Sequence, residues 1–164
     1  ANRGRMRPFW RCLKITRILF VCHGNICRSP MAEYMMKQQI RQKHREGDLF
    51  VESAALTYEE TGNPVYPPAR KKLAEHGISC QGKYAVQLKR EDYAKYDYLI
   101  GMDSANIRNM ERICGGDPEG KIYRMLSFAG VNRDVADPWY TGNFDVTYDD
   151  IMQGLHGFLK YLDI

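Results

Sequence analysis

No apolar run in this 164-residue chain approaches the roughly 18 residues a membrane-spanning helix requires, so no transmembrane anchor is expected. No repeat period is visible either, which excludes solenoid and collagen-like architectures. Cysteine is sparse and odd in number: Cys12, Cys22, Cys27, Cys80 and Cys114, with no CxxC pair among them. A disulfide scaffold is therefore not expected, and a reducing, cytoplasmic setting is. The amino-terminal segment lacks the roughly 7–15-residue apolar stretch of a secretory signal. Acid is missing from residues 1–14 altogether, while Arg3, Arg5, Arg7, Arg11 and Lys14 lie there. Taking those five from the chain's 24 basic residues leaves 19 basic against 20 acidic over residues 15–164. The net charge of +4 thus belongs to the first segment, and nucleic acid is not expected as a partner of the rest. Residues 1–14 read as an irregular basic extension, or as an expression remnant with Met6 the original start. An arm touching nucleic acid or membrane is the other reading.

What is present suits a folded domain. A hydrophobic fraction of 44% against 27% charged residues is ordinary for a chain with a real core, which excludes disorder throughout. The length fits one domain over residues 15–164. Ile15–Val21 is apolar after Arg17 and stops at the Gly24-Asn25 turn signal, as a strand buried on both faces would. Ser29-Pro30 opens a helix, serine as cap and proline in the first turn, with Ala32, Met35, Met36 and Ile40 inward and an end near 44–47. Leu49–Ala55, Tyr98–Met102 and Ile122–Leu126 read as further strands. Helices are expected over 69–76, 89–95, from an Asp103 cap to about Cys114, and over Tyr148–Leu162, where Ile151, Leu155, Phe158 and Leu162 share one face. Residues 127–147 read as a long loop, of the kind that is usually functional. Strand and helix alternate, so the expected fold is α/β: a four-stranded parallel sheet flanked by helices. Ligands on such sheets bind beyond the carboxyl ends of the strands.

The segment Val21-Cys22-His23-Gly24-Asn25-Ile26-Cys27-Arg28-Ser29-Pro30 carries chemistry. A buried strand delivers Cys22 to the carboxyl edge of the sheet, and a helix begins six residues later. The loop between must curl, and Gly24 and Asn25 tolerate the left-handed conformations a curl needs. Converging N–H groups and the positive end of a helix form an anion site. Arg28 adds a planar fork that matches a phosphate. The same positive field favours the Cys22 thiolate, the nucleophilic form, and Ser29 can donate to its sulfur. A phosphoryl group held over a nucleophile implies a cysteinyl-phosphate intermediate with no metal. The loop lacks the Gly-Lys-Ser/Thr ending of a nucleotide-binding loop, which disfavours a kinase or ATPase. The bland readings are a packing cysteine, or a zinc site of Cys22, His23 and Cys27.

These residues resemble the low-molecular-weight protein tyrosine phosphatases. The Cys-x5-Arg-Ser loop is joined by Asp137-Pro138-Trp139-Tyr140, where that family carries an Asp-Pro-aromatic-aromatic stretch. Glu52-Ser53-Ala54, Gly62-Asn63-Pro64, His76-Gly77-Ile78 and Met102-Asp103 match in the same order. The resemblance covers residues 15–164 and implies a four-stranded parallel sheet. It also implies a phosphotyrosine-protein phosphatase. By it Cys22 is the nucleophile, Arg28 the phosphate clamp and Asp137 the general acid, while His23, Gly24, Asn25, Ile26, Cys27, Arg28 and Ser29 form the phosphate loop. Ser29 supports the thiolate, Asn25 braces the loop against Ser53, and Trp139 and Tyr140 line the substrate pocket. Curling of the loop makes Cys27 a candidate redox partner for Cys22. The implied partners are phosphotyrosine-containing proteins, with inorganic phosphate as product, no cofactor, no membrane, and a monomeric, cytoplasmic enzyme.

Three departures stand out. His23, read as a solvent-facing loop residue, sits where many members are small or apolar. Lys83 falls near a histidine that supports the loop in many relatives, and Val86 replaces a common arginine. Tyr58, Glu59 and Glu60 belong at the pocket rim. Competing functions on the same fold are arsenate reduction and phosphoarginine hydrolysis. The first needs a relay of further cysteines, and Cys80 and Cys114 stand apart. The second goes with threonine where this chain has Ile26. A catalytically silent phosphate-binding module is the reading from another class.

Overall fold

Four parallel strands form one sheet in the order β2-β1-β3-β4. They are β1, Thr16–Cys22; β2, Leu49–Ala55; β3, Tyr98–Gly101; and β4, Ile122–Arg124. The computed structural model describes residues 14–164, so the expected extension lies, but for Lys14, outside the described residues. β1 sits in the middle, with Cys22 opposite Ala55 of β2 and Val21 opposite Gly101 of β3. Its side chains alternate between two cores, as strand geometry requires. Ile18, Phe20 and Cys22 join one, Leu19 and Val21 the other. Both faces are therefore apolar, the property read from the sequence of this strand.

On the first face lie α1, Arg28–Gln42, and α6, Phe144–Tyr161. Met31, Met35, Met36 and Ile40 meet Ile151, Leu155 and Phe158 there. On the other face α4, Ser104–Cys114, covers Leu19, Val21 and Leu99 with Met110 and Cys114. Asp103 caps α4 as expected, and its side chain accepts from the Asn106 N–H in a reciprocal capping box. Two shorter helices lie between β2 and β3 in the chain: α2, Pro67–Glu75, and α3, Asp92–Lys95. α2 starts two residues earlier than expected because Pro67 and Pro68 both fit a first turn.

About half of the expected long loop over 127–147 is helical instead. β4 stops at Arg124, and Met125–Ala129 forms a 3-10 helix. Pro138–Thr141 is a single helical turn, α5, capped by Asp137, and α6 begins four residues earlier than expected. Caps account for both starts: the Asp137 carboxylate accepts from the Trp139 N–H at 3.0 Å, and Asn143 from the Val146 N–H at 3.1 Å. α6 packs closely on the 3-10 helix. A Cβ built at Gly157 would lie 2.2 Å from the Phe128 carbonyl oxygen, so only glycine admits that approach.

No helix among the described residues is long and apolar enough to cross a membrane. Among the described residues Cys22, Cys27, Cys80 and Cys114 are free and buried.

Candidate active site

β1 ends at Cys22 and α1 begins at Arg28, so five residues make the turn between sheet edge and helix. Outward hydrogen bonds hold the curl. The carbonyl of Cys22 accepts from Leu56 N–H, that of His23 from Thr57 N–H, and that of Ile26 from Tyr66 N–H. Among the described residues, no protein acceptor takes the N–H groups of His23, Gly24, Asn25, Ile26 or Cys27. With these three carbonyls bonded outward, the loop N–H groups are donors that an anion could take.

Asn25 takes the left-handed conformation, at φ +57°, and it does so almost fully buried. Gly24, expected to share that role, does not: it has no positive φ, and a Cβ there would meet Glu60 Cγ at 3.4 Å and Ile26 Cγ1 at 3.8 Å, both ordinary contacts. One left-handed residue is enough to turn the chain, and asparagine bears it at low cost while spending its amide on bracing. Its Nδ2 donates to Ser29 Oγ at 2.8 Å and to Ser53 Oγ at 2.9 Å, while its Oδ1 accepts from the Val86 N–H at 3.2 Å. Ser29, expected as the helix cap, lies inside the first turn instead. Cys27 occupies the cap position and makes no side-chain cap bond. The serine hydroxyl is thereby free to stand 3.0 Å from Cys22 Sγ, and its backbone N–H donates to the same sulfur at 3.4 Å.

Arg28 is 2% exposed. Its Nη1 donates to Asp103 Oδ2 at 2.7 Å and to the Val135 carbonyl at 2.9 Å, and its Nη2 lies 3.4 Å from Asp137 Oδ2. Both Nη1 protons are spent on protein, which leaves the Nε–Nη2 edge as the fork for a ligand. Burial works against the Arg28 charge, but Cys22, Asp103 and Asp137 outweigh it, so its pKa rises. Asp137 divides its oxygens: Oδ1 caps α5 and Oδ2 faces Arg28. Cys27 differs from Cys22 chemically. Burial first, then the charges of Cys22 and Asp137, push its thiol up to about 12.

A cavity of about 180 Å³ opens here, with Cys22 and Arg28 among its lining and Asp137, Trp139 and Tyr140 along one wall. Glu59, Glu60 and His23 line it as well. His23 is exposed as expected, 3.7 Å from the Glu59 carboxylate. Trp139 leans on Tyr66, ring centroids 4.9 Å apart, and Tyr140 is 85% exposed. The zinc alternative fails on geometry, because no three His, Cys, Asp or Glu side chains among the described residues gather around a metal position. The cavity brings together the expected residues of the loop's lip and of the Asp-Pro-Trp-Tyr stretch, while Asn25, Ser29 and Ser53 sit behind it. Asp103, Val135 and Tyr66 were not anticipated as partners of the loop. Asp103 had been read only as a cap and a matching motif residue. The Val135 and Tyr66 contacts have no local sequence signal.

A family model for low molecular weight phosphotyrosine protein phosphatase matches residues 17–164. The chain belongs to the low-molecular-weight protein tyrosine phosphatase family. The phosphatase YfkJ of Bacillus subtilis is 37% identical over 144 residues, covering 87% of this chain and 92% of that one. The crystal structure of YfkJ superposes with a TM-score of 0.88 at 35% identity, over 92% of this chain and 96% of YfkJ. The Drosophila arginine phosphatase DARP gives 0.82 at 26% identity, over 90% of this chain and 98% of DARP. Membership of the family makes this phosphatase a cysteine-based enzyme that works without a metal.

Proposed function

We propose that this phosphatase, with residues 15–164 as its catalytic domain, hydrolyses phosphotyrosine in proteins through a cysteinyl phosphate on Cys22. The observation that carries the reading is the Ser29 hydroxyl 3.0 Å from Cys22 Sγ, at the base of a cavity whose wall holds Asp137 and Trp139. The Cys22 thiolate attacks phosphorus, and the bond to the tyrosine oxygen breaks. The loop N–H groups and the Arg28 fork hold the equatorial oxygens. Asp137 gives its proton to the departing phenol oxygen, then takes one from the water that attacks the cysteinyl phosphate. Phosphate leaves and the thiolate returns, stabilised by Ser29. Trp139, held by Tyr66, and Tyr140 offer an aromatic wall to the substrate ring. In this reading the enzyme is a cytoplasmic monomer and needs no cofactor, and Cys27 is the redox partner of Cys22.

Phosphoarginine is the competing substrate, supported by the likeness to DARP and opposed by Ile26. Arsenate reduction has less support, since Cys80 and Cys114 are buried and neither lines the cavity. Peptides bearing phosphotyrosine, phosphoserine or phosphoarginine, compared at equal concentration with Cys22→Ser as control, test the reading. Phosphotyrosine should be turned over fastest, and Cys22→Ser should be inactive on all three. Faster release from phosphoarginine, or turnover by Cys22→Ser, would overturn it.

A further inference from the structure

Glu33 is a buried carboxylate that the reaction above does not use. It lies in α1 one turn beyond Ser29, on the same face, and is 1% exposed. Its Oε1 accepts from Ser53 Oγ at 2.6 Å, and its Oε2 meets Lys37 Nζ at 2.5 Å. Lys83, also buried, lies 3.6 Å from Oε1 and donates to the Ser53 carbonyl at 2.9 Å. The half-buried Glu52 is a second carboxyl near this pair; burial and then Glu33 raise it, against the opposing charges of Lys37, Lys83 and Arg17. Two ammonium groups thus oppose two carboxyls under the phosphate loop.

The placement of every proton between Glu33 and Cys22 follows from what each group is able to do. An ionised carboxylate only accepts, so Ser53 must give Glu33 its single hydroxyl proton. Ser53 Oγ then offers only lone pairs, and Asn25 must meet it with Nδ2. The Val86 N–H, which only donates, holds Asn25 Oδ1 and forbids the flipped amide. The second Nδ2 proton goes to Ser29 Oγ. Ser29, already accepting there, has its one proton directed at Cys22 Sγ. The Asn25 amide is therefore a two-armed donor. Each arm ends through a serine hydroxyl on an anion: Glu33 on one side, the Cys22 thiolate on the other.

We propose that Glu33, neutralised by Lys37 and Lys83, is a positioning residue: it fixes the Asn25 amide through Ser53, so that the Ser29 hydroxyl is held as a donor to the Cys22 sulfur. This deepens the reading of Cys22 as nucleophile and rests on it. With glutamine there, the one remaining oxygen is drawn to the Lys37 ammonium and the amide N–H turns to Ser53 Oγ, so the Ser53 proton loses its acceptor and competes for the Asn25 arm. The left-handed Asn25 then loses one of its braces, and the donor on the thiolate weakens.

The test is Glu33→Gln, read as the pH dependence of Cys22 alkylation by iodoacetamide, followed by mass spectrometry without substrate. The titratable and charged groups that share the cavity with Cys22, namely Arg28, Asp137, His23, Glu59 and Glu60, are untouched by this change. The direction of the effect separates two roles. Removing a negative charge acts through the field to favour the thiolate and moves the titration to lower pH. Loss of the positioned donor moves it to higher pH, here by about half a pH unit or more. A rise in wild-type background that disappears when Glu33→Gln is made in Ser29→Ala supports the proposal, because the arm ends at Ser29. A fall, no change, or a rise of equal size in Ser29→Ala overturns it. Should Glu33→Gln not fold, Ser53→Ala removes the same arm from a small side chain and is expected to give the same rise; an unmoved titration there overturns the proposal equally. Turnover by Cys22→Ser would refute the nucleophile reading instead, and the two failures are told apart because the titration uses no substrate.

Discussion

Cys22 and Cys27 flank one short loop, both free and buried, and differ in what their sulfurs meet. The Ser29 hydroxyl stands 3.0 Å from Cys22 Sγ and the Ser29 N–H donates to that sulfur at 3.4 Å, whereas burial pushes the Cys27 thiol up to about 12. Only a thiolate attacks a sulfenic acid efficiently, so closing a Cys22–Cys27 disulfide should be slow at neutral pH and faster in base. After mild peroxide, the fraction of activity recovered by a thiol reductant should therefore rise between pH 6 and pH 8.5. In Cys27→Ser it should be low at both. Equal recovery in that variant, or a mass spectrum without the 22–27 link, removes Cys27 from redox protection. Asp137 gives a second test at the level of single atoms. Oδ1 is tied to the Trp139 N–H and Oδ2 lies 3.4 Å from Arg28 Nη2, so Oδ2 is the oxygen left for proton transfer in the cavity that Asp137 lines. Asp137→Ala should lower kcat on phosphotyrosine by roughly 10²–10⁴-fold, and by much less on an aryl phosphate with an acidic leaving group. A loss that ignores leaving-group pKa would assign Asp137 another role.

Among the elements, α4 is tied to the active site by its own cap. Asp103 Oδ1 accepts from the Asn106 N–H at 2.6 Å, and Oδ2 holds Arg28 at 2.7 Å. Serine in its place can still cap a helix but cannot hold a guanidinium. Asp103→Ser should therefore keep most of the thermal stability and lose kcat/KM. Asp103→Ala should lose both, with about 0.5–2 kcal/mol of stability gone with the cap. Thermal melts and steady-state kinetics on the two variants separate the roles, and equal activity in Asp103→Ser and wild type would show that Arg28 is placed without it. The first function of Asp103 was legible in the sequence, because a cap acts on N–H groups two or three residues away. The second was not, since its partner lies 75 residues off. The same distinction runs through the fold. Leu49–Ala55 and the Asp103 cap were read to the residue because local patterning decides them. The segment 127–147 was not, although Asp137-Pro138 and Asn143 carry ordinary capping signals. Asp137 starts a helix of a single turn, and Asn143 starts α6 only two residues after that turn ends, so a run of polar and aromatic residues hides both. Ser29 shows the reverse case: a good capping residue taken out of the cap position by the sulfur it serves.

At the scale of the molecule, strand order places the site. From β1 the chain passes to β2 on one side and only later to β3 on the other, so a crevice opens beyond the carboxyl ends of β1 and β3. Cys22 ends β1, Asp103 follows β3, and Val135 and Asp137 arrive from the segment after β4; all but Cys22 converge on Arg28 by direct contact. An anion seated on the loop N–H groups and the Arg28 fork would touch what joins these segments, and it would bind the folded state alone. Inorganic phosphate should then raise the midpoint of thermal unfolding with a saturable dependence. At 100 times its Kd the linkage amounts to about 2.7 kcal/mol. For a chain of this size that is a shift of about 5–10 °C. General salting-out by phosphate also stabilises proteins, but it grows with concentration without saturating, so the shape of the curve identifies the site. Cys22→Ser should keep the shift, because the donors remain when the nucleophile is gone. Arg28→Lys should keep less than about half of it, since an ammonium offers no planar fork. A non-saturating rise shared equally by wild type and Arg28→Lys would mean that phosphate is not held by this loop.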